Sequence, residues 1–129
     1  VNIKIIGYFV FGLPGETKES IKETMEFSKK ADLDYAYYFH ATPFPGTELY
    51  EMAQEKGWLI TQDWRRYGHG EEVLMNYNHI SQKELKNAVK HAYRSFYFRP
   101  RTILMQMHSI QSWKVFCNNI QAAISLLKK

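Results

Sequence analysis

The sequence has a single cysteine, Cys117, among its 129 residues. It can form no internal disulfide, which fits a reducing compartment, and we therefore expect a cytoplasmic location. No apolar run reaches the roughly 18 residues needed to cross a bilayer, and the first residues lack the features of a signal peptide. The sequence thus predicts a protein without a membrane span.

Several motifs that indicate nucleotide binding, metal binding or redox chemistry are also absent. The sequence contains no Walker loop, G-x-G-x-x-G fingerprint, H-E-x-x-H pair or C-x-x-C pair. The histidines have no ligand-like spacing, and no Ser-His-Asp arrangement suggests itself. Of the five histidines, we single out only the one that ends an apolar run, His40. The residues themselves predict no nucleophile and no metal site.

The charge is distributed unevenly along the chain. Residues 1–64 carry six Lys or Arg against ten Asp or Glu, whereas residues 65–129 carry eleven against three. A basic half can bind nucleic acid or an anionic membrane surface. Basic residues on amphipathic helices more often form a solvated face, and we expect no nucleic-acid partner.

The first 57 residues follow a strand–helix–strand–helix pattern. An apolar run to Phe11 ends in a Gly-Leu-Pro-Gly turn, and Thr17 is placed to cap the helix that follows. A second strand, 35–42, ends in a Pro-Phe-Pro-Gly turn, and Thr47 precedes a helix that stops at Gly57. Such repetition predicts an α/β fold with parallel strands. Two strands leave unpaired edges, so we expect further strands outside this sequence.

The second predicted strand has one ring-rich and one more polar face. Tyr35, Tyr37 and Phe39 alternate with Tyr38, His40 and Thr42. We predict that the large rings lie under the helices. The polar face would then point inward and line a site, because buried polar groups need partners.

The remainder is predicted to be mainly helical. Residues 58–80 read as an irregular connector in which 73–75 form a short edge strand. The capping box Ser81-Gln82-Lys83-Glu84 starts a helix that runs to about Phe98, and Pro100 separates it from a last helix beginning near Arg101. The predicted domains are 1–57, 58–80 and a helical extension, 81–129.

Three motifs carry a resemblance to a known family. They are Gly12-Leu13-Pro14-Gly15-Glu16-Thr17 after an apolar strand, the segment from Pro43 to Tyr50, and the segment from Tyr93 to Pro100. Together they resemble the end of a radical SAM barrel. They resemble in particular the group that usually carries an N-terminal cobalamin-binding domain. This group includes proteins similar to anaerobic magnesium-protoporphyrin monomethyl ester cyclase and hopanoid-associated radical SAM proteins.

The resemblance implies a fold and a site. The fold would be the last two βα units of a partial (βα)₆ TIM-like barrel followed by a helical extension. Val10 would pack on the adenine of S-adenosylmethionine, Gly12 would let the ligand approach the backbone, and Glu16 would anchor the turn. Tyr38 would join the cavity wall. The implied cofactor-binding residues are Val10, Gly12, Leu13, Gly15, Glu16, Phe39, His40 and Thr42.

One departure from the family pattern matters. Radical SAM enzymes hold a [4Fe–4S] cluster on a CxxxCxxC loop, which this sequence lacks. We therefore expect a fragment that is inactive alone and completed by the N-terminal part of its own chain. The resemblance further implies an external electron donor, a small-molecule substrate and, for some members, cobalamin. The reaction would be methyl transfer or oxidative cyclisation.

The sequence is also compatible with two other functions. The chain could be a complete, non-catalytic binding module that uses its basic half on an anionic partner. It could also be a phosphate- or nucleotide-binding α/β domain that uses the Gly12 turn, although a Walker lysine is missing.

Overall fold

Two parallel strands form the sheet at the centre of the structure. The computed structural model describes residues 3–67, 72–77 and 79–109, without the side chains of Trp64 and residues 105–109. Strand β1 (Ile6–Phe11) pairs with β2 (Tyr35–His40), with Ile6 opposite Tyr35 and Phe11 opposite His40. The predicted parallel pairing is confirmed.

The helices begin where the sequence predicts caps. Helix α1 (Lys18–Lys30) joins the two strands and is followed by α2 (Glu48–Glu55), a short 3₁₀ turn (Trp64–Arg66), α3 (Gln82–Tyr97) and α4 (Pro100–Ser109). The side chains of Thr17, Thr47 and Ser81 each accept a hydrogen bond from the backbone N–H three residues later. These bonds satisfy amides that would otherwise lack a partner at the helix start.

The described helices cover one face of the sheet. Phe9 and Phe11 of β1 point to this side together with Ala36 and Tyr38 of β2. The Tyr38 ring lies 5.3 Å from the Phe9 ring and 5.1 Å from the Tyr93 ring of α3. The buried core consists of this strand face and residues of α1, α2, α3 and the connector.

The predicted assignment of the two faces of β2 is wrong. Tyr35, Tyr37 and Phe39 point away from the helices and are exposed, whereas Tyr38 and His40 are buried beneath them. The small side chain of Ala36 lets a helix approach the strand closely, and strict alternation then turns the large rings to the other side. Both faces carry aromatic rings, so the ring content of a face did not identify the one that the helices cover.

Helix α3 covers β2, although it follows the strand by more than 40 residues. Its residues Leu85, Ala92 and Phe96 are buried in the same core as Phe11 and Ala36. Described residues on both sides of positions 57 and 80 contribute to this one core. The domain boundaries predicted at these positions stay predictions.

The connector pairs with itself. Leu59 forms an isolated antiparallel bridge with Met75, flanked by hydrogen bonds from Ile60 N–H to Leu74 O and from Asn76 N–H to Trp58 O. The predicted strand at 73–75 is thus not an edge of the main sheet. The part of the predicted last helix beyond Ser109, including Cys117, lies outside the described residues.

No helix in the described part of the chain combines the length and apolar character needed to span a membrane.

Candidate functional site

The face of the sheet that the described residues leave uncovered, here called the open face, is made of apolar and aromatic side chains. Its six residues are 39% to 67% exposed and come from alternate positions of both strands: Ile6, Tyr8, Val10, Tyr35, Tyr37 and Phe39. The Tyr8 ring stacks on those of Tyr37 and Phe39, with centroids 5.5 and 6.2 Å away. A continuous apolar face of this kind usually marks a surface that another group covers.

The open face ends at two predicted site residues. Val10 and Phe39 are register partners at the carboxyl ends of the strands, and they are 43% and 39% exposed. Leu13 follows in the turn and is also exposed. The structure therefore brings Val10 and Phe39 together at the strand ends, where α/β proteins bind their ligands.

The turn after β1 is held by internal hydrogen bonds. Gly12 is buried at φ +85°, its N–H donates to the Glu16 carboxylate, and its carbonyl accepts from the Tyr77 hydroxyl at 2.7 Å. A Cβ on Gly12 would lie 3.3 Å from Leu85 Cδ1. Glycine thus fits both the left-handed backbone and the crowded packing at this point.

The Glu16 carboxylate bridges the turn and the helix start. Burial raises its pKa, against the opposing effect of hydrogen bonds from the Gly12 and Leu13 amides. Burial also raises the pKa of Tyr77 to about 12. Since an acidic group already occupies the amides of this turn, the turn is poorly suited to a phosphate.

His40 and Tyr38 lie on the opposite side from the open face. The Tyr38 hydroxyl is 2.6 Å from the Ser28 hydroxyl, and His40 is only 8% exposed. Among the described residues, the Nδ1 atom of His40 has no hydrogen-bond partner. Burial lowers the pKa of the ring to about 4, with a smaller contribution from Lys86. The prediction that both side chains point inward to a cavity is wrong, because the face of β2 that carries them packs against α3.

The remaining predicted residues belong to the two turns. Thr42 is half-buried, and its hydroxyl donates to the His40 carbonyl at 3.4 Å. Gly15 is exposed at φ +83°, with open space where a Cβ would lie. Its left-handed backbone explains the glycine without a ligand.

Sequence reasoning missed Tyr8, Tyr37 and Tyr77. The first two could have been found by alternation, because they lie two residues from Val10 and Phe39 on the same strand faces. Tyr77 reaches Gly12 from 65 residues away. No local pattern indicates such a contact.

A depression lies on the helical side of the sheet, between α1 and α3. It is a shallow groove of about 310 Å³ whose walls include Met25, Ile80 and His91. Within residues 3–67, 72–77 and 79–109, no group of three His, Cys, Asp or Glu side chains could hold a metal ion.

The sequence of this chain is similar to parts of two methyltransferases and of a tRNA-modifying synthase. The chain is 39% identical over 103 residues to an uncharacterised methyltransferase of Pyrococcus horikoshii, covering 80% of this chain and 22% of that protein. It is 34% identical over 66 residues to bacteriochlorophyllide d C-8(2)-methyltransferase of Chlorobaculum tepidum, covering 51% and 15%. It is 31% identical over 65 residues to tRNA-2-methylthio-N(6)-dimethylallyladenosine synthase of Baumannia cicadellinicola, covering 50% and 14%.

These matches have a limited extent. The chain spans about a fifth or less of the length of these curated relatives. No protein-family profile matches it, and no solved structure does. Two of these relatives are methyltransferases and one is a tRNA methylthio synthase. Their similarity to this chain is consistent with the resemblance to radical SAM enzymes that the turn motifs carry.

Proposed function

We propose that this chain is one segment of a radical SAM enzyme and that its open face forms part of the inner wall of the barrel. One observation carries the proposal: the open face extends to the carboxyl ends of the strands, where exposed Val10 and Phe39 lie beside the Gly12 turn. This arrangement supports a ligand site at the carboxyl ends of parallel strands.

The layering of the structure supports the barrel. Parallel strands are normally buried on both faces. Here the described helices cover one face, and the other presents stacked rings such as Tyr8 and Tyr37 to solvent. In a (βα) barrel the helices lie outside and the opposite strand face points inward. The open face matches that inward face.

The residues at the strand ends fit the adenine of S-adenosylmethionine. Val10 and Phe39 offer an exposed apolar surface for a flat ring, and the Gly12 turn follows Val10 directly. The missing Cβ of Gly12 makes room for Leu85 in the core, so Gly12 shapes the turn beside this surface. Glu16 holds the turn that follows and is a positioning residue. Bound S-adenosylmethionine would supply a carbon-centred radical after one-electron reduction.

The iron–sulfur cluster does not fit the residues of this chain. The sequence has one cysteine, and the described residues contain no group of three potential metal ligands. We assign the cluster ligands to the polypeptide outside this segment. The proposed enzyme also needs an external electron donor and a small-molecule substrate. It needs cobalamin as well if its reaction is a methyl transfer.

The proposal predicts that Val10 contributes to binding of S-adenosylmethionine. In the full-length protein, Val10→Glu places a charge against the adenine and should weaken binding at least tenfold, measured by equilibrium dialysis. Ile60→Glu is the matched control, because Ile60 has similar exposure on the connector. Equal affinity of the two variants would contradict the assignment of Val10.

The described charges give less support to an anionic partner. Arg66 pairs with Glu72, Arg101 with Asp32, and Arg65 with Asp63. The Arg99 guanidinium is occupied by backbone carbonyls and Thr102. Each of these four arginines is occupied by a partner within the chain, which favours a solvated basic face, so a nucleic acid is not the partner we propose.

A further inference from the structure

The segment from Tyr93 to Pro100 has no role in the proposed function, yet it contacts the sheet directly. Along β2, the Tyr35 and Ala41 amides donate to the Ile5 and Phe11 carbonyls, so they face β1. In a parallel ladder, alternate residues point to opposite edges. The backbone groups of Ala36 and Tyr38 therefore point to the outer edge of β2, where a third strand would pair.

Two tyrosine hydroxyls of α3 occupy that edge. The Tyr97 hydroxyl accepts a hydrogen bond from Ala36 N–H at 3.2 Å and donates one to Ala36 O at 3.0 Å. The Tyr93 hydroxyl accepts from Tyr38 N–H at 3.2 Å and donates to Tyr38 O at 3.4 Å. A hydroxyl can donate and accept at once, so each replaces the C=O and N–H of a neighbouring strand.

The spacing of the two tyrosines matches the spacing of their targets. Residues four apart in a helix rise about 6 Å, and residues two apart in a strand rise about 6.7 Å. The Tyr93 and Tyr97 rings stack with centroids 6.2 Å apart. Arg99 fixes the end of α3, since its guanidinium donates to the Phe96 and Lys29 carbonyls and lies over the Phe96 ring.

The outer edge of β1 is different. By the same alternation, the backbone groups of Ile6, Tyr8 and Val10 point away from β2. Within the described part of the chain, the sheet has two strands and these groups have no hydrogen-bond partner. One edge is occupied by side chains and the other is open.

We propose that Tyr93 and Tyr97 close the outer edge of β2 in place of a strand, so that the sheet accepts further strands only along β1. The strand that pairs with β1 is a segment of the same polypeptide outside these residues, since the chain spans at most about a fifth of its relatives. The pairing along β1 rests on the proposed function, in which this chain is one segment of a barrel, whereas closure of the β2 edge rests on the two tyrosines alone.

Amide hydrogen exchange in the full-length protein tests the closure residue by residue. Tyr97→Phe should speed exchange of the Ala36 amide by roughly tenfold, because this amide loses the hydroxyl that accepts its hydrogen bond. Tyr93→Phe should speed exchange of the Tyr38 amide for the same reason. The amides of Tyr35 and Ala41 should keep their rates. Tyr67→Phe is the matched control: it removes a hydroxyl bond to Thr61 O and should change neither edge amide.

Two outcomes would overturn the closure. One is unchanged exchange of Ala36 and Tyr38 in the single variants. The other is an equal acceleration of Tyr35 and Ala41, which would indicate general loosening of α3.

The same experiment tests the open edge. The amides of Ile6, Tyr8 and Val10 should be protected in the full-length monomer at every protein concentration. Unprotected amides, or protection that appears only as concentration rises, would contradict pairing with the same polypeptide, and the latter would indicate a second copy.

Discussion

His40 illustrates how a single buried residue couples the fold to pH. Its ring lies between β2 and the helices, its Nδ1 atom has no partner in the part of the chain that the structure describes, and burial lowers its pKa to about 4. In the unfolded chain the pKa returns to about 6.5, so between these values the unfolded state binds more protons. The contribution of neutral His40 is complete above pH 6.5 and is lost as the pH falls toward 4.

We therefore predict that stability decreases between pH 7 and pH 4 by up to about 3 kcal/mol from this residue. His40→Gln, which cannot be protonated, should remove that part of the slope. Urea unfolding of the full-length protein and the variant at several pH values measures the difference. Identical pH slopes would show that His40 is not buried in its neutral form.

The reversed faces of β2 show what the sequence could not predict at this scale. Alternation correctly separated Tyr38 and His40 from Tyr37 and Phe39. It could not identify the face that packs on a helix, because that depends on Tyr93, 55 residues away from Tyr38. The presence of Ala36 on one face was the available local signal.

The individual helices were more predictable than their packing. Caps are local, so Thr17, Thr47 and Ser81 could be recognised from the residues themselves. The position of α3 over β2 depends on contacts between distant residues, such as Tyr97 with Ala36. Helical periodicity gives the buried side of α3, but it does not identify the strand that this side covers.

Helix α3 offers a direct test of the capping argument. Ser81 accepts from the Glu84 amide, and the Glu84 carboxylate accepts from the Ser81 amide and pairs with Lys18 at 2.6 Å. Ser81→Ala should lower the free energy of unfolding by about 1 kcal/mol. Ser95→Ala is the control, because Ser95 lies within the helix and alanine is favourable there. Equal effects in urea unfolding would contradict the role of the cap.

For the whole molecule, the sequence correctly predicted two parallel strands and indicated that more were needed. The structure adds that the open face is lined with large rings and that the β2 edge is closed by side chains. An exposed sheet face and an open β1 edge are unfavourable in water. Both features are expected if the rest of the polypeptide covers them.

Residues 1–129 expressed alone should therefore associate or form a loosely packed state. Dye binding to the exposed apolar surface and light scattering would measure this, and a longer polypeptide that restores the missing strands is the comparison. A soluble monomer with a sharp, cooperative thermal transition would instead favour a complete module.

The formation of 5′-deoxyadenosine tests the central claim most directly. The full-length protein is reconstituted anaerobically with iron and sulfide, then reduced in the presence of S-adenosylmethionine. The account predicts 5′-deoxyadenosine in the wild-type protein and in Ile60→Glu, and a strong reduction in Val10→Glu. A reconstituted protein that binds iron and sulfide but releases no 5′-deoxyadenosine would contradict the assignment to radical SAM chemistry.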